Sequence, residues 1–441
     1  MTLAAAPALT AELPPFIRRA FGMRSPRRFH YDALTRVRTG EAVFLLGHPE
    51  DVRHILVVNP GNYIKTRKLT GAAGRRRAGE GLLTSTGAAH LRQRHLLRPL
   101  FRRDAVAALE GAIEAAVERT LARWDGGLRF DLAAEMADLA RTVILAALFG
   151  PGLDSREEEA LARAIAARRR FTELVYYGRL AWRERLPSPV VRAHRRAFGV
   201  IDGAVAEAIA RRRANGPGDD LIGQLMEASY ADGSTMSDRQ VRDEVLTLMS
   251  TGYETLGEAL TWLWYLLDRH PDVEANLAAE LAAVVGERPA RADDVARLPF
   301  LDQVLSETLR LYPPTWLYAR VPLKADVLPV GGPVPAGATL YICQYLLHRH
   351  PRHWPDPERF VPERFVPGVR PARFVYLPFG DGRHRCLGEH LARLEAMLVV
   401  AHVARGVRVR VIDPGPVEPR GGVTLSPRHR LWARAEPRSA A

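Results

Sequence analysis

The chain is expected to be mainly α-helical, one large helical domain carrying small antiparallel β-sheets. Three observations point there. From about Arg103 to Gln240, Ala, Leu, Glu and Arg recur at three-to-four spacing, the period of amphipathic helices. Met236 to Arg269 then reads as one long helix, opened by Ser237 as N-cap with Gln240 completing a capping box, and closed ahead of Pro271. Strand-like runs, by contrast, are short and lie outside that stretch.

Taken along the chain, weak early strands are expected at Ala42–Leu46 and His54–Val58, within a β-rich N-terminal part of about residues 30–70. A helical core of about residues 85–312 follows, punctuated by Pro187, Pro189, Gly216, Gly218 and Gly233. A further helical stretch ends at Leu311, before Pro313-Pro314. Strands are expected at Leu317–Val321, Val327–Val330 and Thr339–Cys343, then as a pair near Val407–Ile412 and Val423–Ala433, with a helix over Glu389–Val403 between them. No internal repeat or long linker interrupts the 441 residues, so a single domain over 1–441 is expected.

Composition bounds the function. Apolar residues make up 47 % and charged residues 26 %, the balance of a soluble globular protein. The two cysteines, Cys343 and Cys386, offer neither metal-ligand spacing nor a disulfide framework, which suits a reducing cytoplasm. No run of 18 apolar residues predicts a membrane helix, and Met1–Phe16 has no Lys or Arg ahead of its apolar part, unlike a signal peptide. The net charge of +13 raises nucleic-acid binding. Yet Arg75–Arg77, Arg168–Arg170 and Arg211–Arg213 are scattered, without interleaved aromatics, and read as solvated helix faces, so no nucleic-acid partner is expected. A basic face can also steer an acidic redox partner.

The most informative segment is Phe379-Gly380-Asp381-Gly382-Arg383-His384-Arg385-Cys386-Leu387-Gly388. Glycines let backbone approach a flat ligand and adopt φ > 0 turns. Arg383, His384 and Arg385 should lower the cost of a Cys386 thiolate, and N–H groups of the turn can donate to sulfur. A lone caged thiolate is what Cys-ligated haem iron requires. A cysteine in a loop is ordinarily a small buried hydrophobe, but the long position-specific pattern outweighs that reading.

Three further groupings stand out. Glu307 and Arg310 lie at i and i+3 on one helix face, a pair whose default reading is an exposed salt bridge. Thr251-Gly252-Tyr253-Glu254-Thr255 places Gly and Thr mid-way along the long helix, where both are poor helix formers, and predicts a local distortion. Glu254-Thr255 is an acid–alcohol pair able to relay protons through water. His90 and Arg94, at i and i+4, can face one acceptor.

These motifs, in this order, resemble those of the cytochrome P450 family over nearly the whole chain, to Thr424-Leu425-Ser426-Pro427-Arg428, and the absence of an N-terminal anchor resembles its soluble bacterial members. The resemblance implies the cytochrome P450 fold, with 379–388 as haem-binding loop and haem b as cofactor, its iron held by Cys386. Phe379, Gly380 and Gly388 then shape the loop, and His90, Arg94, Arg320 and His384 bind the haem propionates. Glu307, Arg310 and Arg364 form a structural network. Thr251, Gly252, Glu254 and Thr255 form the oxygen-activation motif, with O2 as co-substrate. The implied substrate pocket includes Leu83, Tyr176, Met249, Thr315, Trp316, Leu317, Val423 and Thr424, under a lid near Phe171–Leu186.

The implied activity is haem-thiolate monooxygenation, hydroxylating or epoxidising a lipophilic terpenoid, carotenoid, fatty acid, steroid or polyketide. No reductase domain or dinucleotide fingerprint is present, so ferredoxin and ferredoxin reductase are the implied electron donors, and a cytoplasmic monomer the implied state. A peroxide-driven or isomerase-type haem-thiolate enzyme, and a non-enzymatic haem- or ligand-binding protein, are the alternatives. Three positions depart from the family's pattern: His384 where Arg is usual, Thr251 for Ala or Gly, and Leu256 for a second Thr or Ser.

Overall fold

The computed structural model describes every residue except 1–9, 24–27, 38–41, 103–108, 125–126, 175–187, 217, 219, 370, 413–414 and 439–441. The helices that bear on the interior include α1 (Arg67–Thr70), α2 (Ala72–Ala78), α3 (Gly87–Leu97), α4 (Leu132–Phe149), α5 (Ser155–Thr172), α6 (Pro189–Asn215), α7 (Asp238–Arg269), α8 (Pro299–Leu311) and α9 (Glu389–Gly406). The strands around the interior include β1 (Thr35–Arg36), β2 (Val43–Leu46), β3 (Tyr63–Ile64), β4 (Leu317–Pro322), β5 (Thr339–Cys343), β6 (Val407–Val411), β7 (Pro419–Gly421), β8 (Leu425–Pro427) and β9 (Trp432–Pro437).

Helix α7 organises the rest, because its apolar residues recur on all sides and most of it is buried. Ser237 caps it as expected, its hydroxyl accepting the Gln240 N–H at 3.3 Å. The Gln240 side chain does not close the box; it donates instead to the Tyr230 hydroxyl at 2.6 Å. Close approach to α4 depends on two glycines. A Cβ on Gly257 would stand 3.0 Å from the Ala137 Cα, and one on Gly252 3.0 Å from the Ile144 Cδ1.

That contact explains Gly252 without the expected distortion. Helix α7 is regular from Thr251 through Thr255, and the Ser250, Thr251 and Thr255 hydroxyls each donate to the carbonyl four residues earlier. Further along, Trp262 stacks on Tyr312 at 4.0 Å and donates its indole N–H to the Leu425 carbonyl at 2.8 Å. The stack contributes about 0.5–1.5 kcal/mol beyond its area. It also fixes the chain leading into β8 against α7.

The main sheet runs β1-β2-β5-β4-β3. It is not wholly antiparallel as expected: β5 pairs parallel to β2, with Thr339 opposite Val43 and Ile342 opposite Leu46. The two strands are separated in sequence by the helical core, a crossover long enough to return in parallel. His54–Val58 is not a strand but a continuation of the helix begun at Pro49–Arg53. Pro49 in the first turn and the His48 ring, which accepts the Glu50 N–H at 3.2 Å, start that helix, and burial of Ile55 and Leu56 overrides their β propensity. The expected strand Val423–Ala433 divides: β8 pairs with β7, whereas β9 pairs with β6. Among the described residues no helix is long and apolar enough to cross a membrane.

Candidate functional site

A cavity of about 1260 Å³ lies between α7, the 378–388 loop, β4 and the α1–α3 region. It exceeds the range of about 300–1,000 Å³ for a small-molecule pocket, so there is room for two occupants. Cys386 lines it and is exposed there. The loop around it turns at Gly380 and Gly382, whose φ of 67° and 69° would strain other residues. A Cβ on Gly382 would fall 2.2 Å from the Leu56 carbonyl oxygen, so the loop presses directly onto the 54–58 helical turn. The Cys386 N–H donates to the Phe379 carbonyl at 2.9 Å, closing the loop on itself.

The expected cationic activation of the thiol is overcome. Burial pushes the Cys386 thiol up, against smaller downward pulls from the Gly388 N–H, Arg94 and Arg385.

Glu307 and Arg310 are not an exposed pair: both side chains are fully buried. Arg310 donates from Nε and Nη2 to the two Glu307 oxygens at 2.7 and 2.8 Å. Its remaining donors reach the His348, Pro357 and Arg359 carbonyls at 2.9, 2.7 and 2.9 Å. Arg364 Nε sits 3.4 Å from Glu307, whose carboxylate also accepts the Val361 N–H at 2.9 Å. His348 carries no local pattern that would mark it. Its Nε2 accepts the Leu377 N–H at 2.8 Å while Nδ1 lies 3.2 Å from the Arg310 carbonyl, so the ring is neutral with its proton on Nδ1. Burial and Arg310 hold it at about 3. This histidine ties the network to the residues just ahead of Phe379.

On the Cys386 side of the cavity, four predicted groups come together. His90 and His384 have ring centroids 4.3 Å apart. Burial lowers His90 to about 4 and His384 much further, with Lys65 and Arg320 adding to the effect. Arg94 donates to the Arg385 carbonyl at 2.6 Å. Arg320, nearly buried, donates only to its own neighbour's carbonyl, Ala319, at 2.9 Å, and no carboxylate pairs with it among the described residues. Lys65 is a fifth member, unseen in the sequence because a lone lysine carries no pattern. Burial, then Arg320, brings its ammonium down to about 7, and it donates to the Leu82, Leu83 and Ser85 carbonyls at 2.9–3.2 Å.

Glu254 and Thr255 both line the cavity. Glu254 accepts from the Thr424 hydroxyl at 3.1 Å and pairs with Arg169 of α5 at 3.3 Å. Arg169 also reaches Glu258, one turn along α7, at 3.2 Å. Burial raises both carboxyls, Glu258 to about 8. The Arg168–Arg170 run was expected to be a solvated face; instead Arg168 and Arg169 turn inward and only Arg170 is exposed. Arg77 lines the cavity too, while Arg211 and Arg212 bond to the Gly152 and Phe149 carbonyls. Helix packing recruits these arginines, and no local pattern distinguishes them from surface ones.

Leu83, Met249, Thr315, Trp316, Leu317, Val423 and Thr424 all border the cavity, as do Thr251, Gly252, Phe379, Gly380 and Gly388. Tyr176 lies outside the described residues, as does most of the expected lid.

A family model for cytochrome P450 matches residues 23–430. The chain belongs to the cytochrome P450 family. Pentalenene oxygenase of Streptomyces avermitilis is 31 % identical over 95 % of this P450 and 94 % of its own length. Cyclooctat-9-en-7-ol 5-monooxygenase of Streptomyces melanosporofaciens is 34 % identical over 87 % and 83 %. The crystal structure of the cytochrome P450DA haem domain superposes with a TM-score of 0.83 at 24 % identity, covering 92 % of this chain and 90 % of that one. This P450 is thus a haem-dependent monooxygenase of lipophilic compounds, working with redox partners.

The residues present fit a haem. A sulfur opens into the cavity, the loop beside it has no room for side chains at Gly382, and cationic donors such as Arg320, without a carboxylate partner among the described residues, line the same cavity and could take propionates. The buried His384 Nδ1 has no hydrogen-bond partner of its own.

Proposed function

We propose that Cys386 is the axial ligand of haem b, and that Arg94, Arg320, His90 and His384, with Lys65 behind them, hold its two propionates. The observation that carries this is that buried Arg320 has no carboxylate partner among the described residues, in a wall where a charge needs one. Bound haem supplies the oxygen activation and C–H oxidation; the protein supplies binding, orientation and protons. Electrons come from ferredoxin and its reductase, and the substrate is a cyclic terpenoid-like molecule of the kind named for the two Streptomyces relatives. The apolar walls from Leu83, Met249, Leu317 and Val423 suit it.

The Thr255 hydroxyl gives its own proton to the Thr251 carbonyl, which leaves its lone pairs able to accept from water in the cavity. Glu254, its carboxyl raised by burial, stands one residue away, and Arg169 links it to Glu173 and Arg420 at the surface. Thr255→Ala should keep electron consumption near wild type while most reducing equivalents leave as hydrogen peroxide. Glu254→Gln should lower product formation about a hundredfold, the low end for a positioned acid. Unchanged coupling in both variants, read as product per NAD(P)H oxidised, would count against the relay and favour the peroxide-driven reading.

Lys65 gives a pH test of the propionate site. Its folded value near 7 lies below the unfolded 10.5, so the haem-free protein gains stability as pH rises from about 7 to 10. Haem propionates favour the charged ammonium, so binding takes up a proton in that window. Haemin affinity, followed by absorbance, should therefore fall between pH 7 and 9, by up to about tenfold per pH unit. Lys65→Met should bind haemin more weakly and without that slope; a slope retained in the variant would remove Lys65 from the site.

A further inference from the structure

Behind the Glu254–Thr255 pair, three carboxyls and two guanidinia meet where α5, α7 and β7 come together. Arg169 of α5 reaches Glu254 from Nε at 3.3 Å and Glu258 from Nη2 at 3.2 Å. Its Nε also lies 3.6 Å from Glu173, just past the end of α5, and Arg420 of β7 holds Glu173 at 3.2 Å. Tyr253 lies beside the same guanidinium and, raised by burial, stays neutral. Glu254 borders the cavity, whereas Glu258 does not.

The charges do not balance with every carboxyl ionised. Two cations against three carboxylates leave a net negative charge on a group in which Glu254 and Glu258 are both buried. Carboxyls that crowd one another in this way keep a proton. The contacts indicate which of the buried two keeps it. Glu254 is well compensated as an anion, by Arg169 and by the Thr424 hydroxyl at 3.1 Å. Glu258 has Arg169 on Oε1, and its buried Oε2 has no hydrogen-bond partner among the described residues. Burial lifts the Glu258 carboxyl to about 8, in keeping with a proton held there at neutral pH.

We propose that Glu258 is the proton store of the relay: its carboxylic acid passes a proton, through an intervening water, to the Glu254 carboxylate, which hands it to water at Thr255 in the cavity. This rests on the Glu254–Thr255 relay proposed above and adds the group that supplies it. The step moves one proton, Glu258 becoming the carboxylate and Glu254 the acid. Total charge around Arg169 is the same before and after, because one guanidinium fork serves both carboxyls. No new buried charge is created while the proton crosses. Glu173 and Arg420, both partly exposed, connect the group to solvent, from which Glu258 is refilled.

The test uses the haem-loaded enzyme, with product per NAD(P)H oxidised followed from pH 6 to 10. In the wild type this coupling should fall as pH rises through about 8, where the Glu258 acid is lost; a flat profile overturns the proposal. Glu258→Gln keeps the size and a hydrogen bond to Arg169 but holds no proton to give. Coupling at pH 7 should drop about tenfold in it, a smaller loss than removing the acid that faces the cavity, and the limb near pH 8 should vanish. Coupling like wild type overturns the proposal. A loss of coupling with the limb unmoved means that Glu258 only holds Arg169 in place, and overturns it too. Infrared difference spectra, wild type minus Glu258→Gln, should show a protonated carboxyl at pH 7 that is gone by pH 9; the subtraction cancels the other raised carboxyls, Glu244 and Glu395 among them, and absence of the band overturns the assignment. Should Glu258→Gln not fold, Glu258→Asp takes its place: it should keep most of the coupling with the limb about half a pH unit lower, and an unmoved limb overturns the proposal. Glu254→Gln separates the two levels. Normal coupling there sinks the relay itself, whereas a loss there beside an unaltered Glu258→Gln sinks only the store.

Discussion

Cys386→Ser is expected to fold and to lose the red-shifted Soret band of the ferrous–CO complex, with turnover falling to background. The substitution changes one atom at a site already open to the cavity, so stability should move by less than about 1 kcal/mol. The chemistry changes far more. Burial opposes a free thiolate at this position, and coordination to the haem iron, as proposed, would supply what the protein's own groups do not. An alkoxide is harder still to form, and an oxygen ligand does not push electron density as sulfur does. The Gly388 N–H that now helps the sulfur would meet a hydroxyl instead. The Phe379–Cys386 backbone bond is untouched, so loop geometry is not the cause of the loss. Thermal denaturation and the CO difference spectrum on the same preparation separate the two effects. A persistent red-shifted band would dismiss Cys386 as the ligand.

What the sequence made legible follows from how its signals arise. Cys386, Glu307 and Arg310 sit in dense local patterns, and the structure places Cys386 on the cavity and the Glu307–Arg310 pair in full burial. Helix α7 was legible because its cap, its period and its terminating proline agree. The distortion expected at Gly252 was not found, since a glycine within a helix has two causes and only the packing partner, Ile144, decides between them. The parallel pairing of β2 with β5 joins segments almost 300 residues apart, beyond any local pattern. Lys65, Arg168, Arg169 and His348 were invisible for the same reason. Each acquires its role from helices or loops distant in sequence, and the arginine run that reads as a solvated face is split by α5 between interior and solvent.

Arg310→Met should be the most destabilising single change in the chain, at about 3–5 kcal/mol, the cost of breaking a buried pair from one side. All five donors of Arg310 are used: two on Glu307 and three on the carbonyls of His348, Pro357 and Arg359. Methionine fills much of the volume but leaves a buried carboxylate with only the Val361 N–H and Arg364 to compensate it. Against a total stability of about 5–15 kcal/mol, this is a third or more of what holds the fold. Arg310→Lys keeps the charge with at most three donors, so it should fall between methionine and wild type. The double variant Glu307→Leu with Arg310→Met removes both charges, and should be more stable than Arg310→Met alone. Because His348 passes the strain to Leu377, two residues before Phe379, haem retention should fail alongside stability. Urea midpoints and the rate of haem transfer to an acceptor protein would be measured on the same series. A midpoint for Arg310→Met within 1 kcal/mol of wild type would mean that the loop is positioned by other contacts; loss of haem in proportion to stability lost would mean that the buried pair and the cysteine loop are one mechanical unit.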